Sequence, residues 1–384
     1  MNQPITYLDN NATTRPDERV VAAMLPLLTE QYANPSSAHQ FGAAAAAAVE
    51  EARARVAGLI EARDSEIVFT SGGTEADNAA LRGVLAACPD KRHLIISAVE
   101  HHAIIETAER LEEERVSVTH IRVDHEGRLD LTALAGAIRD DTALISIMLA
   151  NNETGVIFPL REVSRMAAER SVPVHTDAVN ALGKMTVNVE ELGVSLLSLS
   201  GHKIYGPKGV GALYIRRGTP FRSCQTGGSQ ERQRRGGTLN SPGIVGLGMA
   251  CELLRQQGAQ DMTRVRVLRN RLENELRRRF DVARILGAGA GRLPNTTLVC
   301  FAGIAAQALL ILLSEAGICA SGGAACASGS LAPSHVLKAM GIDPQIAQGE
   351  VRFSLGRFNS DADLDRLFEI LPGAVQKVAA SGVC

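Results

Sequence analysis

Apolar positions fall along this chain in two alternating rhythms. Short, densely apolar or β-branched runs at 66–70, 93–97, 116–123, 143–149, 172–176, 196–200 and 210–215 read as buried strands. Between them lie stretches with apolar residues three and four apart, such as 75–87, 104–115 and 160–170, the spacing of amphipathic helices. Strand and helix in repeated alternation predict an α/β fold with a mostly parallel sheet. The character changes near Ser241-Pro242-Gly243. A long helical stretch follows to about Phe280, with Gly258 as an expected interruption, and its later part is rich in leucine and charge. Beyond it come only two strand patterns, 295–301 and 350–355, and two helical ones, 305–315 and 362–377. The organisation predicted is a large α/β domain over 15–255 and a smaller α+β domain built from 1–14 and 256–384.

Composition narrows the function. At 45% hydrophobic and 21% charged, the chain has the balance of a soluble globular protein. A formal net charge of -2 gives no electrostatic preference for nucleic acid or an anionic membrane. Aromatics at 3%, with no Trp, leave no stacking platform for single strands. No apolar run is long enough to span a bilayer, and the first residues do not read as a signal peptide. The seven cysteines are odd in number and none are spaced as C-x-x-C, which argues against a disulfide framework or a zinc site and for a reducing cytoplasm.

One cysteine stands apart. Cys326 lies in the small-residue run Ala320-Ser321-Gly322-Gly323-Ala324-Ala325-Cys326-Ala327-Ser328-Gly329-Ser330, which offers no bulk to bury it. It is expected to be an accessible thiol on a mobile loop, used for its reactivity. Three further segments each follow a predicted strand. Thr70-Ser71-Gly72-Gly73-Thr74-Glu75-Ala76 opens a helix, and backbone N–H groups at such a start can hold a phosphate, although a plain capped turn reads equally well. Asp177 could hold a protonated ring nitrogen or cap the next helix. Lys203, in Ser200-Gly201-His202-Lys203, is a candidate for covalent attachment of an aldehyde, a surface lysine being the plainer reading. Gly206-Pro207-Lys208-Gly209 fails as a nucleotide loop because Gly209 stands where Ser or Thr is needed. A phosphate cradle, an acid and a lysine, in that order at strand ends, are what a pyridoxal 5′-phosphate enzyme requires.

With those residues in place, the chain resembles the NifS/IscS-type cysteine desulfurases, relatives of the class V aminotransferases, from Tyr7-Leu8-Asp9-Asn10-Asn11-Ala12-Thr13-Thr14 through Val351-Arg352-Phe353-Ser354-Leu355-Gly356-Arg357-Phe358. Between these lie Asn34-Pro35-Ser36-Ser37-Ala38-His39, Val99-Glu100-His101-His102-Ala103 and Asn151-Asn152-Glu153-Thr154-Gly155, besides the segments of Lys203 and Cys326. The wording is closer to the nitrogenase-associated NifS branch. The resemblance implies the type I fold of pyridoxal phosphate transferases. It implies Lys203 as the residue carrying the cofactor, Asp177 paired with the ring nitrogen, and His101 over the ring. Gly73, Thr74, Ser200 and His202 would hold the phosphate, joined across a homodimer by Thr238 of the partner subunit. Asn152 would lie near the phenolic oxygen, and Arg352 with Asn34 would bind the substrate carboxylate.

The implied reaction turns L-cysteine into L-alanine, leaving sulfur as a persulfide on Cys326 for an iron-sulfur scaffold protein. A transient iron-sulfur cluster shared with that scaffold would use Cys326 as its metal ligand. Two residues depart from the family pattern: Asn180 stands where a Gln contacts the phenolic oxygen, and Leu239 stands where a Glu follows Thr238. Transamination on the same scaffold is the rival, but it needs no thiol. An inactive sulfur carrier would not need Lys203, Asp177 and Arg352 together.

Overall fold

The computed structural model describes residues 5–323 and 334–381, so Cys326 and Cys384 lie outside the described residues. Seven strands form the main sheet: β1 (Ile67–Thr70), β2 (His93–Ser97), β3 (Ser117–Ile121), β4 (Thr142–Ser146), β5 (Val174–Asp177), β6 (Leu196–Ser200) and β7 (Gly211–Ile215). Their spatial order is β1-β7-β6-β5-β4-β2-β3. β7 runs antiparallel to both of its neighbours, and the other pairings are parallel. All strands but the edge strand β3 are buried at every position. Helices on both faces of a parallel sheet demand this, and it explains why the sequence shows dense runs rather than alternation. All seven predicted strands form, two of them with the predicted ends and the rest with ends shifted by at most three residues.

The parallel strands end on one edge of the sheet, and the residues of interest follow those ends. The helix α1 (Gly73–Ala87) starts just beyond β1, and α2 (His102–Glu113) starts beyond β2. The tight turn Gly201–Lys203 follows β6 and reverses the chain into β7. A lysine on that reversal is held at the ligand-binding edge of an open α/β sheet.

The expected interruption at Gly258 does not occur. One helix, α3 (Ser241–Arg279), runs unbroken through it. The cost of a glycine in a helix, about 1 kcal/mol, is small beside the burial this helix gains at both ends. Its first half places Ile244, Leu247, Ala250, Cys251, Leu253 and Leu254 in the core around the main sheet. Its second half places Met262, Val265, Leu268, Leu272 and Leu276 in a separate core. That second core covers a three-stranded antiparallel sheet of β8 (Ala283–Ile285), β9 (Thr296–Phe301) and β10 (Glu350–Ser354), in the order β10-β9-β8. The N-terminal strand Thr6–Tyr7 pairs in parallel with Ile318–Cys319, and Leu8 lies in the same core. Among the described residues no helix is long and apolar enough to cross a membrane.

Candidate active site

The start of α1 makes a cradle. Gly72 has φ +154°, a region essentially reserved for glycine, and a Cβ there would stand 3.8 Å from the Ser200 hydroxyl. The first helical bond runs from Ala76 N to Gly72 O. The helix start therefore leaves the N–H groups before Ala76 without helical acceptors. Ser200 is buried, Gly73 is half-buried and Thr74 is exposed at the rim. This donor set, at the positive end of a helix, suits a phosphate dianion.

Acids at neighbouring strand ends share the load unequally. Asp177 ends β5 with 7% exposure, and one carboxylate oxygen accepts from Val179 N at 2.8 Å. Burial raises its pKa to about 6, opposed by that N–H and by Lys203. Asp77, buried in α1, is pushed well above the carboxylate range by burial and then by Asp177. Glu100 is raised to about 8, chiefly by burial. Burial thus disfavours the charged forms of Asp77 and Glu100, while the Val179 N–H and Lys203 favour that of Asp177. His175 lies 3.7 Å from Asp77, but burial lowers its pKa to about 3 and its ring is held between Ser146 and Ser198. Burial therefore disfavours charge on both sides of that contact.

Lys203 donates from Nζ to Asn11 O and to Ala12 O, the latter at 3.0 Å. His202 turns Nδ1 to the Thr13 hydroxyl at 3.2 Å, and its carbonyl accepts from the Thr14 N–H and hydroxyl. His101 caps α2, its Nδ1 accepting from Ala103 N at 3.1 Å. Burial, then Lys203, His102 and His335, lower its pKa to about 4, so the ring is neutral. His202 is lowered to about 4 by burial and then by Lys203, Lys208 and Lys184.

Arg352 lies on β10 with only 2% exposure. Its guanidinium donates to Asn152 O at 3.1 Å and to Asp9 at 2.8 Å, while Nε, also buried, has no partner among the described residues. Ser321, five residues before Cys326, forms a backbone bridge with Arg352. Asn152 itself is half-buried.

Asn34 and Thr238 stand apart from this group. Asn34 is exposed, accepts from Ser36 N within its own turn, and among the described residues shares no hydrogen bond with Arg352. Thr238 is exposed, beside a small cavity lined also by Thr70, Ser71 and Arg235. Leu239, the residue replacing the family's Glu, packs on the main core, and Arg235 pairs with Glu75 in the same chain. Sequence reasoning gave no role to Asp77, Glu100, His175 or Lys184.

Two more acids flank the Cys326 segment. Ser334 Oγ donates to Glu153, and backbone N–H groups of Gly323 and Ser334 bond Glu350. A Cβ on Gly323 would stand 1.5 Å from a Glu350 oxygen, so only glycine fits there. Burial and then Glu153 raise the Glu350 pKa to about 8, against Arg352 on the same strand. Native protein therefore keeps a proton that the unfolded chain loses above about pH 4.5. Stability is full below that pH and falls as pH rises through about 8, by about 5 kcal/mol for this group. Glu350→Gln is expected to raise the thermal midpoint at pH 8 and leave it nearly unchanged at pH 5. Equal shifts at both pH values would contradict this.

The Aminotransferase class-V family model matches residues 6–367. The chain is 48% identical to "Cysteine desulfurase 2" of Trichormus variabilis, over 98% of this chain and 94% of that one. It is 46% identical to "Cysteine desulfurase NifS" of Azotobacter vinelandii, over 97% and 93%. A solved structure described as a NifS-like protein superposes with a TM-score of 0.91 at 38% identity, over 98% of this chain and all of that one.

Proposed function

The chain belongs to the aminotransferase class-V family, among the cysteine desulfurases, and from that premise we propose how its own residues act on L-cysteine. The family depends on pyridoxal 5′-phosphate. The residues of this chain suit that group: a glycine cradle beside Ser200 that a Cβ would fill, a buried acid at a strand end, and a lysine on the adjoining turn. Gly73, Thr74, Ser200 and His202 would hold the phosphate, Asp177 the ring nitrogen, and Asn152 and Asn180 the phenolic side. Thr238 of the partner subunit would complete the phosphate site in a homodimer. When bound, the cofactor supplies an electron sink for charge developing at the substrate's Cα.

The remaining steps belong to the protein. Arg352, buried and with Nε unpartnered among the described residues, binds the substrate carboxylate; Asn34, which stands apart from it, would have to move to share that role. Lys203 Nζ takes the proton from Cα. His101, neutral, can accept or return a proton near the ring without adding a second charge beside Lys203. The Cys326 thiolate attacks the substrate sulfur: an S–S bond forms as the C–S bond breaks. Protonation at carbon then gives L-alanine, and the enzyme keeps a persulfide. A thiol kept reduced, as in the cytoplasm, passes this sulfur to an iron-sulfur scaffold protein, where Cys326 can also serve as a transient cluster ligand.

The single observation that carries the reading is the convergence of Lys203, Asp177 and the Gly72–Ser200 cradle on one sheet edge. The protein is expected to purify yellow, to bleach with borohydride, and to yield alanine from L-cysteine with +32 Da on Cys326 by mass spectrometry. Cys326→Ser should keep the colour, lose the persulfide and make alanine at least about 100-fold more slowly. Alanine formation at the normal rate in that variant would remove Cys326 from the mechanism.

A further inference from the structure

A second lysine is buried beside the site, and neither the fold nor the reaction above gives it work. Lys184 is 7% exposed. Its Nζ donates to Asn180 Oδ1, at 2.7 Å. Burial, followed by the charges of Lys203 and Arg352, pushes its pKa well below the ordinary lysine range. Moving an amine out of water for one hydrogen bond is unfavourable by several kcal/mol, so packing alone gives no reason for a lysine here.

The bond settles what Asn180 can do. An amide has one acceptor, its oxygen, and two N–H donors on nitrogen. With Oδ1 turned to Lys184, the N–H donors of Nδ2 face the other way. Nδ2 is buried and has no partner among the described residues. Asn180 follows Asp177 by three residues, and Val179 between them packs against Gly73 at the start of α1: a Cβ on Gly73 would lie 2.7 Å from Val179 Cγ2. The unpaired donor therefore belongs to the turn that lies between the acid and the cradle. A buried donor left open in a binding site is matched by an acceptor on the ligand.

We infer that Lys184 is a positioning residue: it orients the Asn180 amide so that Nδ2, not Oδ1, is presented to an oxygen of the bound pyridoxal phosphate. The inference rests on the proposed function, since it needs that cofactor. It also accounts for the shorter side chain at position 180. With the lysine gripping its oxygen, Asn is held in one orientation and offers a donor without rotating.

The test is titration of apo-enzyme with pyridoxal phosphate, following the absorption band and its pH midpoint. Lys184→Met removes the donor to Oδ1 while filling the space, and Lys184→Gln keeps an N–H donor. The expected result is about a tenfold weaker cofactor Kd and a shifted pH midpoint in Lys184→Met, with Lys184→Gln within about threefold of wild type. In the Asn180→Ala background, Lys184→Met should add less than about twofold, because the lysine acts through the amide. Equal melting temperatures of the two Lys184 variants separate orientation from folding. Wild-type Kd and midpoint in Lys184→Met, or a full tenfold effect in the Asn180→Ala background, would overturn the inference. Failure of the wild-type apo-enzyme to take up the cofactor would instead overturn the functional reading itself.

Discussion

Lys203→Ala is expected to slow alanine formation from L-cysteine by at least about 10³-fold, and to leave a protein whose colour washes out on dialysis. Lys203 sits on the reversal between β6 and β7, its amine tethered by two backbone carbonyls of the segment Asn11–Ala12. That tether fixes Nζ at the sheet edge, where it can serve both to hold the cofactor's aldehyde and to move the Cα proton. Arginine keeps the charge but can do neither, so Lys203→Arg should be equally inactive. A small primary amine added to Lys203→Ala should restore part of the rate. The second amine, Lys184, makes the test sharp. It is buried and committed to Asn180, so it should not substitute. Alanine formation above a tenth of the wild-type rate in Lys203→Ala would move the assignment to Lys184.

The parts of this site that were legible in the sequence are those signalled locally. A lysine two residues past a glycine at a strand end, an acid at the end of a dense apolar run, and glycines opening a helix all carry their signal within a few positions. The strands of the main sheet were legible for the same reason: strands buried on both faces are apolar throughout. In the antiparallel sheet β9 and β10 were legible, while the three-residue β8, only half-buried, was not. What the sequence hid is carried by distant pairings. In Val174-His175-Thr176-Asp177 every side chain is buried, and His175 is tolerated there only because Ser146 and Ser198 flank it from the two adjacent strands. Lys184 reads as an ordinary polar residue in a turn, and its burial is set by packing that no window reveals. Glu350 looks like the solvent-facing end of a strand, yet it lies against Gly323, where a Cβ would overlap its carboxylate. The unbroken α3 has the same cause: Gly258 weakens a helix locally, but two separate cores hold the helix on either side of it.

The second large effect concerns where the site keeps its negative charge. Asp77, Glu100 and Asp177 are all buried near one another, and mutual repulsion prevents them from ionising together. Burial raises all three, Glu100 to about 8 and Asp177 only to about 6, because Val179 N–H and Lys203 favour the charged form of Asp177. The charge therefore falls on the acid at the strand end, where it can keep a pyridine nitrogen protonated. Asp177→Asn should weaken cofactor binding by about 100-fold and slow alanine formation by about 10³-fold, since the ring loses the counter-charge that makes it an electron sink. The pH dependence has a definite sign. Below about pH 6 wild-type Asp177 is neutral, so cofactor affinity should fall by up to about tenfold for each further pH unit, and this dependence should vanish in Asp177→Asn. Burial and the neighbouring Asp177 disfavour a charge on Asp77, so Asp77→Asn should change cofactor affinity by less than about threefold. Equal losses in the two variants, read by cofactor titration at pH 7, would mean that the charge is shared between the acids rather than held at the strand end.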